Sequence, residues 1–138
     1  MSGNSFKPCE ISALALAYLG DAVWEAYVRR RLILEEGICV TARSLHTKAL
    51  KLTSAAGQAR LLGEFEKLLT EEELAVMKRG RRTRARRSNH PSTMSEYRNS
   101  TGFEALLGYL ELSDRQARLV ELMDKAYELE SANGHERP

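Results

Sequence analysis

Apolar residues recur at helical spacing through most of the chain, and nowhere does the strict alternation of a half-buried strand hold against them. Ile11, Leu14, Tyr18, Val28 and Leu32, with Ala15, Leu19, Ala22 and Ala26 beside them, predict one long amphipathic helix from about Glu10 to Glu35, stopped at Gly37. Thr41 reads as the N-cap of a second helix, running through Leu45, Ala49, Leu52 and Ala56 toward Leu62 with Gly57 as a weak point. Gly63 interrupts, a helical turn covers Phe65 to Leu69, and Thr70-Glu71-Glu72-Glu73 is a capping box for a helix through Met77 that Gly80 ends. Helical spacing resumes near Ser95 with Phe103, Leu106, Leu107, Leu110 and Leu112. A further capping box, Ser113-Asp114-Arg115-Gln116, opens a last helix through Leu129, and the tail from Ser131 frays. The fold class is all-α, a single domain over 1–138 with its core at about 10–130.

Two carboxylates interrupt this pattern. Asp21 lies three residues from Tyr18 and Trp24 and seven from Leu14 and Val28, on or beside the apolar stripe. A buried carboxylate without a partner costs several kcal/mol, so Asp21 either points to water at the edge of the face or is paired, protonated or metal-bound. Gly20 beside it weakens the helix by about 1 kcal/mol relative to Ala, which makes sense where another backbone must come close. Glu104 is the second acid within an apolar helix. Thr101-Gly102-Phe103-Glu104 is also a capping box, which would employ Glu104 at a helix start; alternatively Asp21 and Glu104 converge on a divalent cation. Two hard carboxylates with room for water suit Mg²⁺, which could activate water and stabilise the charge on a phosphodiester.

Charge distribution supports a phosphate partner. The net charge of +2 says little, but the segment from Lys78 to Arg98 carries eight Lys or Arg and one acid, against an acidic remainder. A basic loop at about 79–95 gathers Arg79, Arg81, Arg82, Arg84, Arg86 and Arg87 before the polar run Ser88 to Thr93. Arg29-Arg30-Arg31 reads as a solvated helix end. His46 has no second His or Cys at ligand spacing, and Cys9 and Cys39 form no C-x-x-C pair. With no signal core or apolar run of membrane-spanning length, the expected location is the cytoplasm. There is no G-x-x-x-x-G-K-[ST] loop and no G-x-S-x-G elbow, which argues against an NTPase or a serine hydrolase.

Tyr18-Leu19-Gly20-Asp21-Ala22-Val23 resembles the signature helix of the ribonuclease III catalytic domain, and Phe103-Glu104-Ala105-Leu106-Leu107-Gly108-Tyr109-Leu110 resembles its second acidic helix. Leu45-His46, Lys78-Arg79-Gly80-Arg81 and Tyr97-Arg98-Asn99-Ser100-Thr101 are similar, more narrowly, to Mini-ribonuclease III, the form without a separate RNA-binding domain. The likeness spans about Glu10 to Leu129. It implies an all-helical homodimer that cleaves double-stranded RNA with Mg²⁺ in the maturation of large-subunit ribosomal RNA, with a ribosomal protein as a conceivable accessory. It makes Asp21 and Glu104 the catalytic, metal-binding acids. Lys78, Arg79, Arg81, Arg82, Arg84, Arg86, Arg87 and His46 become the RNA-binding set. Ala17 and Thr101 stand where full-length ribonuclease III carries Glu and Asp, so this site is thinner in carboxylates, and Glu25, one turn after Asp21, is a candidate to join it. The alternative is a non-catalytic RNA-binding ribosome-assembly factor with the same fold. Two retained acids facing phosphate argue against a pure binder.

Overall fold

Ser12, not the Pro8 to Glu10 stretch, starts the first helix: its hydroxyl accepts from the Ala15 backbone N–H at 2.9 Å, satisfying one of the donors that a helix start leaves open. The computed structural model describes residues 7, 10–37, 41–53, 62–83 and 94–135, and among these every regular element is helical. They are α1 (Ala13–Glu36), α2 (Ala42–Thr53), α3 (residues 62–66), α4 (Glu71–Arg82), α5 (Met94–Leu112) and α6 (Gln116–His135). Cys9, Cys39 and the expected continuation of α2 beyond Thr53 lie outside the described residues, as do Arg84, Arg86 and Arg87.

Helix α5 is the axis of the fold. From Ser100 to Leu110 all but one of its residues are buried, because α1 lies along one side of it, α4 along another, and α6 returns from its C-terminal end. Aromatic rings fill the centre: Phe103 meets Trp24 edge-on at 5.1 Å and Phe65 at 5.3 Å, with Leu106, Leu107, Leu110, Leu119 and Leu122 around them. Burial of each such side chain contributes about 1.5–3 kcal/mol. The Trp24 indole N–H is satisfied by the Leu52 carbonyl at 2.9 Å, which ties α2 to α1.

Three local expectations are corrected. Gly80 does not end its helix; it is buried inside α4, which runs on to Arg82. A Cβ there would stand 2.8 Å from the Gly102 Cα of α5, so Gly80 marks a close helix crossing. Nor does Ser113 open a capping box. Asp114 adopts φ 62°, and Arg115 N–H reaches the Leu110 carbonyl at 3.1 Å while Asp114 N–H reaches Glu111 at 3.2 Å. That is a Schellman closure of α5, and α6 begins only at Gln116. The third is Arg31, which is only partly solvated. It lies 4.2 Å over the Tyr127 ring and donates to the Tyr27 hydroxyl at 2.6 Å, bracing α1 against α6; Tyr27 in turn donates to Asp124. The capping box at Thr70 forms as expected, with both Thr70 and Glu73 bonds present.

Candidate active site

The meeting of Asp21 and Glu104 is decided by backbone. A Cβ built on Gly20 would fall 1.7 Å from the Glu104 carbonyl oxygen, and one built on Gly108 would fall 1.9 Å from the Leu16 carbonyl oxygen. No side chain fits at either position, so α1 and α5 touch main chain to main chain through this glycine pair. The residues next to such a crossing are brought together whatever their chemistry. Asp21 follows Gly20 and Glu104 precedes Gly108 by one turn, so both acids flank one contact.

They open into a cleft of about 390 Å³ lined by Asp21, Glu104 and Glu25 together with Leu14, Tyr18, Leu50 and Tyr97. Asp21 is half-buried. Burial pushes its carboxyl above the usual carboxylate range, the charge of Glu25 adds to that, and a hydrogen bond with Glu104 opposes it. Two carboxyl groups can share a hydrogen bond only while one holds a proton. The alternative role for Glu104 at a helix start fails, because Thr101 and Glu104 both lie inside α5, and the Thr101 hydroxyl donates to the Tyr97 carbonyl at 2.9 Å.

The pair fits a hard divalent cation. Oxygen donors from two rigid helices, one of them, Asp21, held where burial disfavours its charge, would be relieved by a positive ion and leave coordination positions for water. Among the described residues, no three His, Cys, Asp or Glu side chains converge closely enough to cage a metal. A cation at this pair would take its remaining ligands from water or from phosphate oxygens.

The residues expected to hold RNA are not alike in the structure. Lys78 and Arg82 are exposed on α4, and His46 is exposed on α2 without lining the cleft. Arg79 donates to the Ile11 carbonyl at 2.6 Å, pinning the start of α1, and Arg81 pairs with Glu66 at 2.7 Å while its stem packs against Gly102. Gly108, Gly102 and Tyr97 stand in the sequence motifs, but the motifs assign none of them the place it holds, Gly108 and Gly102 at helix crossings and Tyr97 on the cleft wall. The small-residue pairs Gly20/Gly108 and Gly80/Gly102 were visible, but nothing in one sequence says which glycines face each other.

The ribonuclease III domain matches residues 14–115. A Mini-ribonuclease 3 of Symbiobacterium thermophilum is 44% identical over 120 residues, 87% of this chain and 91% of that protein. A Mini-ribonuclease 3 of Streptococcus pneumoniae is 42% identical over 115 residues, 82% of this chain and 88% of that protein. A crystal structure of a Fusobacterium nucleatum protein shares the fold with a TM-score of 0.76 at 24% identity, covering 90% of this chain and 98% of that one. With its matched domain reaching from the first turns of α1 to the end of α5, the chain belongs to the ribonuclease III domain family and is an endoribonuclease of that type.

Proposed function

We propose that this chain hydrolyses phosphodiester bonds of double-stranded RNA with Mg²⁺, as a homodimer in the cytoplasm, and that its substrate is structured precursor of large-subunit ribosomal RNA. The observation that carries the chemistry is the glycine-paired crossing of α1 and α5, which delivers Asp21 and Glu104 to one open cleft. Relatives named Mini-ribonuclease 3 support RNA as the class of substrate.

In the reaction, a water oxygen forms a bond to phosphorus, the bond from phosphorus to the leaving ribose oxygen breaks, the proton of the attacking water passes to base or solvent, and the departing oxygen takes up a proton from solvent. Mg²⁺, when bound, supplies neutralisation of the phosphate charge and lowers the pKa of water. Asp21 and Glu104 hold it, and their rigid seating on two packed helices fixes its place. Exposed Lys78 and Arg82 attract the phosphate backbone, with Arg79, Arg81, Arg84, Arg86, Arg87 and His46 as the wider binding set. Arg79 and Arg81 act mainly by shaping the base of the loop, given their internal partners.

The dimer reading rests on the outer face of α1. Tyr18 is 84% and Leu14 42% exposed, with Ala15, Ala22 and Ala26 exposed beside them, an apolar stripe that none of the described helices covers. No helix among the described residues is long and apolar enough to cross a membrane, so this stripe is not part of such a span.

Incubation with a long duplex RNA and with a matched single strand, in Mg²⁺ or in chelator, tests the reading. Duplex-selective cutting that needs Mg²⁺ is expected. Equal cutting of both RNAs, or cutting in chelator, would overturn it.

A further inference from the structure

Glu25 lies one helical turn after Asp21, on the same face of α1, and walls the same cleft as Asp21 and Glu104. The partner the structure gives its carboxylate is Arg29, whose guanidinium donates at 2.7 Å across an exposed i, i+4 pair; the two side chains are 37% and 63% exposed. An ion pair of this kind is weak and easily exchanged. Any structural need for Glu25 is therefore slight, since it caps no helix end and holds no second element. Its neighbour in the cleft, Thr101, has its hydroxyl committed to the Tyr97 backbone. The cleft thus contains a third carboxyl group, held only by an exposed ion pair, beside two that fit a cation.

Glu25 does not stand close enough to Asp21 and Glu104 to complete a three-acid cage. Magnesium gives up its waters reluctantly, and carboxylates just outside the ligand shell commonly accept hydrogen bonds from those waters. We propose that Glu25 is the outer acid of this site, a positioning residue that acts through the water shell of a cation held by Asp21 and Glu104, and that Arg29 competes with that shell for it. The inference rests on the metal-dependent reading above. Arg29 then sets cation affinity: its ion pair withdraws Glu25 while the cation is away and releases it when the cation arrives.

The test is calorimetric titration of Mg²⁺ into the full chain without RNA, for the wild type and for Asp21→Asn, Glu25→Gln, Arg29→Gln and Arg30→Gln, with helicity checked by circular dichroism. Arg30 is the exposed neighbour of Arg29 and controls for loss of one positive charge. Glu25→Gln is expected to weaken Mg²⁺ binding about tenfold, the lower end of the range seen for groups that act behind the ligands. Arg29→Gln should tighten it, and by more than Arg30→Gln does. Unchanged affinity in Glu25→Gln would overturn the inference. So would a loss of affinity in both Glu25→Gln and Arg29→Gln, which is the mark of a structural salt bridge, or equal effects of Arg29→Gln and Arg30→Gln. Wild-type affinity in Asp21→Asn would instead overturn the metal-site reading itself.

Discussion

Two acids sit in apolar surroundings here, and the fold treats them oppositely. Glu73, at the start of α4, is buried and fully matched: the Arg118 guanidinium donates to both carboxylate oxygens at 2.8 Å, and the Thr70 backbone N–H adds a bond at 2.9 Å. These bonds, the one from Arg118 foremost, hold the Glu73 carboxyl below the usual range. Among the described residues no cation pairs with Asp21. Its burial and its acidic neighbour Glu25 raise its proton affinity, and a bond with another acid, Glu104, is its relief. A structural acid is seated with its partners. On the reading proposed here Asp21 is left wanting one, and that unmet charge would favour a cation in the cleft.

The sharpest way to break this contrast is through the backbone crossing beneath Asp21. Gly20→Ala would place a methyl inside the Glu104 carbonyl, so α1 and α5 must separate. Its cost should exceed the roughly 1–3 kcal/mol of ordinary overpacking, and urea denaturation should show it, with cleavage lost as well. Arg118→Ala removes the partner of Glu73 and should cost about 2–3 kcal/mol, discounted because Arg118 is a quarter exposed. Gly80→Ala meets the Gly102 Cα at 2.8 Å, a milder conflict, and should cost about 1–2 kcal/mol with the cleft unharmed.

Smallest, and of opposite sign, is the stability effect of Asp21→Asn. A carboxyl whose folded pKa is raised binds its proton more tightly folded than unfolded, so at neutral pH its charge subtracts stability, which returns as pH falls through the folded value. The Asn variant should therefore melt roughly 1–3 °C above the wild type at neutral pH. Glu73 works the other way. Its depressed carboxyl contributes stability in full above the ordinary Glu pKa and loses it as pH falls through the folded value, so acid melting of Arg118→Ala should show a shallower pH dependence than the wild type.

How much of this was legible from residues varied with the kind of signal. Helix identity was carried by apolar spacing over many residues, and the all-α fold follows from it. Gly20 could be read as a close approach because it weakened a helix that had no other use for it, and the structure shows what comes close. Gly80 carried the same signal but stood before a run of arginines, where a helix end was the simpler reading. Ser113 failed as a cap because Asp114 accepted a left-handed conformation, a choice made by closure of α5 and not by the four-residue pattern. Arg31, Arg79 and Arg81 looked like surface charge in sequence; their partners, Tyr127, Ile11 and Glu66, are distant along the chain for the first two and come from a separate helical segment for the third. Long-range pairing of that sort leaves no local trace.

The measurement that bears most directly on the central claim is the single-turnover cleavage rate of duplex RNA in Mg²⁺ by the wild type, Asp21→Asn and Glu104→Gln, with duplex affinity measured separately in chelator. If the α1 and α5 crossing builds the reacting centre, each variant should lose about 10²–10³-fold in rate, as loss of a group that stabilises developing charge does, while binding RNA within a few-fold of the wild type. A variant that cuts at the wild-type rate, or whose loss is fully accounted for by weakened RNA binding, would contradict it.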